Sequence, residues 1–209
     1  CAGDSMAAKL CAENPKCTPY QLPSSEFSLP LPGKHNQWNA AAALALSKVW
    51  KEEQEILHTF ENILPIRRRF ETVYNQGGIR IVSDYAHHPS EVAALIQTAR
   101  ELKPKRLLGI FQPHRYTRTL ALGPDFPDSF TGLDKLWLLP VYAASEQPVA
   151  GGTTTDLAKR FSAKWTKCLV VSSSMESAWN DVSSCLQDGD LLLIIGAGDI
   201  ELLAERAKK

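Results

Sequence analysis

The chain has 209 residues, 44% of them hydrophobic and 22% charged, enough to bury a substantial core without disulfide or metal staples. Lysine plus arginine and aspartate plus glutamate both total 23, so the net charge is zero and nothing global favours nucleic acid or an acidic membrane surface as partner. Five scattered cysteines without a CxxC pair read as reduced cytosolic thiols, no apolar run reaches the ~20 residues of a membrane span, and CAGDSMAAKL lacks the pattern of a signal peptide.

No methionine opens the sequence. CAGDS reads as the end of a strand and a turn, which predicts a chain that starts in mid-fold as a piece of a longer protein. MAAKLCAEN (6–14) predicts a helix, KCTPYQLPSSE (16–26) an irregular Pro-rich stretch, and the alanine-rich run 38–57 strong helix. The pattern changes near PIRRRF (65–70), which predicts a domain boundary between 1–65 and 66–209. Beyond it, strands alternate with helices. GIRIVS (78–83) is followed by a helix over 89–103 whose Val92, Leu95, Ile96, Ala99 and Leu102 share one face. RLLGIFQ (106–112) and KLWLLPVY (135–142) are strands, and 153–163 is helical. CLVV (168–171) is a strand, 175–186 a helix, LLLIIG (191–196) a strand, and the chain closes as a helix. This alternation predicts an α/β fold with a mostly parallel sheet covered by helices on both faces.

In such sheets, ligands bind beyond the carboxyl ends of the strands. The loops leaving those ends carry Asp84-Tyr85-Ala86-His87-His88, then Pro113-His114-Arg115-Tyr116-Thr117-Arg118, Val141 to Glu146, and Gly196-Ala197-Gly198-Asp199. Arginine forks suit carboxylate or phosphate, and histidine donates or accepts near neutral pH, so the pattern predicts a site for an anionic small molecule. A solvated loop is the plainer reading of an HH pair, and a solvated linker that of Arg67-Arg68-Arg69, with a phosphate-touching hinge as the sharper alternative. GAGDIE lacks the third glycine of a dinucleotide fingerprint, so its glycines are read as allowing a tight strand-to-helix passage. No GxxxxGK[ST], GxSxG or HExxH occurs, and no residue is assigned as catalytic or as a metal ligand.

LPGKHNQWNAAAALA (31–45), RRRFE (67–71), DYAHHP (84–89), FQPHRYTRT (111–119), VYAASE (141–146) and GAGDI (196–200) occur in an order that resembles the carboxy-terminal part of the Mur ligases. FQPHRYTRT points within that family to the branch joining L-alanine to UDP-N-acetylmuramate. The resemblance covers about 170 residues. It implies that 1–65 is the end of a central ATP-binding domain and 66–209 the Rossmann-like, amino-acid-binding third domain, which closes over the other two. The implied chemistry makes an acyl phosphate from ATP, which the amino group of alanine attacks. Magnesium is implied, held mainly by central-domain residues outside this sequence. Matched to the family's motifs, His35, Asn36, Asn39, Arg69 and Asp84 are expected at the nucleotide, and Tyr85, His87, Arg115 and Arg118 at the amino acid. The sequence departs from the family at Ser83, where an acid often stands, at the two prolines of GPDFPDSF (123–130), and in a short stretch before LPGKHN. Two other readings stay open: a sister ligase attaching a peptide to the same sugar nucleotide, and a stand-alone binding module without catalysis. Lacking a P-loop, the chain by itself is not expected to turn over ATP.

Overall fold

The computed structural model describes residues 5–14, 20, 22, 29–47, 53–62 and 66–208. Residues 1–4 of the predicted strand end at CAGDS and most of the Pro-rich stretch lie outside them. The chain divides into two compact units, Cys1–Pro65 and Ile66–Lys209.

In the first unit, helices α1 (Ser5–Glu13), α2 (Lys34–Ser47) and α3 (Glu53–Glu61) are described. The run predicted helical over 38–57 falls on α2 and α3, with 48–52 outside the described residues. Ala40 and Leu44 of α2 and Phe60 of α3 form a small apolar cluster with Leu29 and Leu57.

The second unit is built on one sheet. Its strands are β1 (Glu71–Gln76), β2 (Ile79–Asp84), β3 (Arg106–Phe111), β4 (Lys135–Leu138), β5 (Leu169–Val171) and β6 (Asp190–Ile195). Their spatial order is β1-β2-β6-β3-β4-β5. All neighbours run parallel except β1, which is antiparallel to β2. The sheet is therefore mixed and mostly parallel. The β1–β2 connection is Gly77-Gly78, with φ of 59° and 72°, the left-handed pair that a two-residue hairpin requires. ETVYNQ is polar and forms an edge strand, so it carries no continuous apolar signal, and the alternation pattern does not reveal it.

Helices α4 (Pro89–Glu101), α5 (Tyr116–Leu122), α6 (Phe126–Ser129), α7 (Thr154–Ala158), α8 (Met175–Cys185) and α9 (Glu201–Ala207) cover the two faces. Side chains alternate along each strand. Leu191, Leu193 and Ile195 of β6 pack with α4 and the Phe126, Phe130 and Leu157 side chains. Leu192 and Ile194 pack on the opposite face with Ala178 and Val182 of α8 and Leu203 and Ala204 of α9. Each such fully buried Leu or Ile contributes roughly 1.5–3 kcal/mol before entropy is counted. The apolar face of α4 is the predicted one up to Ala99. Leu102 departs from it: the helix ends at Glu101, and Leu102 is 43% exposed as its C-cap. The prolines of GPDFPDSF fall around α6, which spans four residues.

Candidate functional site

The order β2-β6-β3-β4 sets four carboxyl ends side by side, so the loops after these strands are neighbours along one rim. Asp84 closes β2. Its Oδ2 accepts the Phe70 amide and its Oδ1 the Ala86 amide, both at 2.8 Å. The Tyr85 amide donates to the Arg68 carbonyl at 2.8 Å. The Tyr85 ring is partly exposed and carries the Arg68 guanidinium 4.6 Å and the Arg69 guanidinium 5.8 Å from its centroid.

The two histidines of DYAHHP divide their work. The Nδ1 of His88 accepts the Ser90 amide at 3.3 Å and caps α4, while Glu91 returns to the His88 amide at 3.1 Å. His87 lies with its Nδ1 3.0 Å from the Tyr85 carbonyl and 3.4 Å from the Glu91 carboxylate. Burial opposes the charge of Glu91. Amide bonds from His87 and His88, with the fields of His87 and Arg69, outweigh it and hold the carboxyl below its ordinary value.

The loop after β3 brings in His114, Arg115 and Arg118. His114 stacks on Tyr142, with centroids 5.4 Å apart, and its ring centre is 6.0 Å from that of His87. Its Nδ1 is buried and has no hydrogen-bond partner. Burial, then Arg118, His87 and Arg115, push the imidazole below its ordinary pKa and favour its neutral form. Arg115 precedes α5 with φ of 69°, held there by its amide bond to the Tyr142 carbonyl at 2.8 Å; a non-glycine residue in this region costs roughly 1–3 kcal/mol. Arg118 lies in the first turn of α5, three residues after Arg115. Glu146 takes the Thr117 amide at 3.0 Å and hydroxyl at 2.7 Å, fixing that turn against the loop after β4.

Two side chains that sequence reasoning left out hold this rim together. Gln112, 5% exposed, donates to Asp199 at 2.7 Å and accepts the Ile200 amide at 3.1 Å. It ties the end of β3 to the loop after β6. A Cβ on Gly198 would sit 2.5 Å from the Gln112 Oε1 and 2.6 Å from the Tyr142 Cγ, so close packing requires glycine there. Arg68 is no solvated linker. Its side chain is 16% exposed and donates to Glu201 at 3.0 Å and to the carbonyls of Gly196 and Gly198 at 2.5 and 3.2 Å. Nothing in RRR distinguishes this inserted arginine from Arg67, which pairs with Glu205 at the surface. His114 was legible as part of HRYTR, but its central position was not, because stacking on Tyr142 depends on a parallel bridge between two distant loops.

Of the predicted site residues, Tyr85 packs against His87 and His87 lies beside His114, whose charge Arg115 and Arg118 oppose; Arg69 lies over the Tyr85 ring, and Asp84 immediately precedes Tyr85. His35, Asn36 and Asn39 belong to α2 of the first unit. Asn36 donates its amide to the Pro32 carbonyl at 2.7 Å, and His35 and Asn39 are exposed. A cavity of about 450 Å³ lies farther along the rim, at the ends of β4 and β5; it shares Tyr116 with the HRYTR run and is lined by no charged side chain. Among the described residues no group of three or more His, Cys, Asp or Glu side chains is gathered to hold a metal, and no helix is long and apolar enough to cross a membrane.

The family model described as "Mur ligase, glutamate ligase domain" matches residues 68–198. A UDP-N-acetylmuramate–L-alanine ligase from Desulfatibacillum aliphaticivorans is 37% identical over 181 residues, which are 86% of this chain and 40% of that protein. One from Clostridium beijerinckii is 38% identical over 184 residues, 88% of this chain and 40% of that protein. The chain thus spans about 40% of the length of these relatives. The crystal structure of the corresponding ligase from Thermotoga maritima superposes with a TM-score of 0.65 at 25% identity, covering 86% of this chain and 38% of that one. With a family model over residues 68–198 and a mostly parallel sheet whose loops carry the matching motifs, the chain belongs to the Mur ligase family.

Proposed function

We propose that the chain is the amino-acid-receiving part of an ATP-dependent ligase that joins L-alanine to UDP-N-acetylmuramate through an acyl phosphate. The observation that carries this reading is the convergence of Tyr85, His87, Arg115 and Arg118 on one rim around His114. Relatives with 37% and 38% identity bear the name of that ligase. The Arg115 and Arg118 guanidiniums receive the carboxylate of alanine, in the forked geometry that carboxylates favour. Tyr85 and His87 present its amino group. Asp84 and Arg69 take the ribose and phosphates of ATP, with His35, Asn36 and Asn39 at the adenine, whose edge needs the donor and acceptor an Asn amide offers. Residues 1–65 are read as the end of the ATP-binding domain. Magnesium would be held by residues of the whole ligase outside this chain.

The competing reading, a sister ligase that attaches a peptide, draws on the same fold: a murein peptide ligase from Psychrobacter arcticus superposes with a TM-score of 0.63 at 19% identity. The HRYTR loop favours the free amino acid, since two arginines three residues apart suit a single small carboxylate. The full-length ligase, assayed with L-alanine and with a tripeptide as acceptor, decides: turnover with the tripeptide and none with alanine would reject the proposal. A binding module without catalysis would turn over neither.

A further inference from the structure

An amino acid at neutral pH arrives as an ammonium ion, and its nitrogen has no lone pair to attack with until a proton is removed. The rim must supply a base or leave the task to water. Among the groups gathered there, His88 uses its Nδ1 as a helix cap, and Glu91 accepts two amides. His114 is stacked on Tyr142, with its Nδ1 enclosed and unpartnered.

His87 is different. A carbonyl only accepts, so the 3.0 Å contact between the Tyr85 carbonyl and His87 Nδ1 places the ring proton on Nδ1. The Nε2 then bears the lone pair, and it makes no hydrogen bond among the described residues. Behind Nδ1, 3.4 Å away, stands the Glu91 carboxylate. A carboxylate behind one imidazole nitrogen with the other nitrogen free is the arrangement by which a histidine accepts a proton and is stabilised while holding it.

We infer that His87, oriented by Glu91 and the Tyr85 carbonyl, is the general base that takes a proton from the ammonium group of the incoming amino acid. The inference rests on the proposed reading of this rim as the amino-acid site. His87 Nε2 accepts one proton. The freed nitrogen pair forms a bond to the acyl phosphate carbon, and the carbon–oxygen bond to phosphate breaks. The second proton of the adduct nitrogen leaves with the phosphate, and His87 returns its own proton to water. The titratable groups facing the His87 ring are Tyr85 in its own loop, 5.4 Å between ring centres, His114 after β3, 6.0 Å away, and Glu91 on α4; beyond them Arg69 acts on Glu91, and Arg115 and Arg118 act on His114.

The test uses the full-length ligase and two nucleophiles: alanine, an ammonium at neutral pH, and hydroxylamine, which is already unprotonated there. His87→Asn should lower kcat with alanine by about 100-fold or more at neutral pH, the scale of general-base catalysis, with the deficit narrowing as the pH rises. The same variant should form hydroxamate from hydroxylamine at close to the parent rate, which also shows that it folds and makes the acyl phosphate. Glu91→Gln keeps an oxygen for the His87 and His88 amides and should show the same pattern at about one-tenth the size. Equal loss with both nucleophiles would overturn the base role. A raised alanine KM with unchanged kcat at every pH would overturn it too, while leaving the amino-acid site intact. Unchanged kcat and KM together would remove His87 from the site altogether.

Discussion

His114 lies flat against Tyr142, 5.4 Å between ring centres and 23° between planes, with a buried nitrogen that no hydrogen bond satisfies. The stack joins the loop after β3 to the loop after β4, and it works with a neutral ring. Burial, together with Arg118, His87 and Arg115, depresses the imidazole pKa in the folded chain. The unfolded chain therefore binds a proton first as the pH falls. Stability from the neutral ring is complete above the unfolded value, about 6.5, and is lost as the pH drops through the window below it toward the folded value. His114→Phe keeps an aromatic face for Tyr142 and removes both the unpartnered nitrogen and the titration. Urea unfolding from pH 7 to pH 5 should show a flatter pH dependence in this variant, with stability at pH 7 within about 1 kcal/mol of the parent.

Arg118 tests the amino-acid site directly. Arg118→Ala in the full-length ligase should raise the alanine requirement about tenfold or more, since a charged hydrogen bond contributes roughly 1.5–3 kcal/mol. Arg118→Lys should recover little of this, because an ammonium lacks the planar fork. Steady-state kinetics in alanine give the answer, and unchanged constants would take Arg118 out of the site.

Gly198 tests the packing that brings the loops together. An added methyl would meet the Gln112 amide oxygen and the Tyr142 ring well inside contact distance. Gly198→Ala should cost about 1–3 kcal/mol, as overpacking does, read as a lowered denaturation midpoint. Loss of alanine affinity should accompany it, because Tyr142 also supports His114.

His88 separates the two histidines of DYAHHP. Its ring caps α4. His88→Ala should destabilise the chain by about 1 kcal/mol, as other lost caps do, and His88→Asn should restore most of that loss. Alanine KM should respond far less to His88→Ala than to Arg118→Ala. A large kinetic effect without a stability change would reverse the division of labour drawn between His87 and His88.

The sequence carries the sheet well where strands are buried on both faces. Leu191 to Ile195 form an unbroken apolar run because both sides of β6 are covered. It carries β1 poorly, because an edge strand with polar ends has no such run. The rim motifs DYAHHP and HRYTR were legible as loops after strands, and the strand order brings them together. The supports of that rim were not. Gln112 and Arg68 matter through bonds to Asp199, Ile200, Gly196 and Gly198, partners 87 or more positions away. Their identity as glutamine and arginine gives no hint of which backbone they will meet. His88 read as one half of an HH pair in a loop after a strand; the Ser90 and Glu91 contacts at the helix start reveal a cap.

The sheet also ends safely. An open sheet risks recruiting a strand from another molecule along its outermost backbone. Here one border, β1, is broken by an irregularity between Thr72 and Tyr74, and the other, β5, is only three residues long. Neither gives a foreign strand a long, regular ladder, which protects this unit from strand-to-strand aggregation.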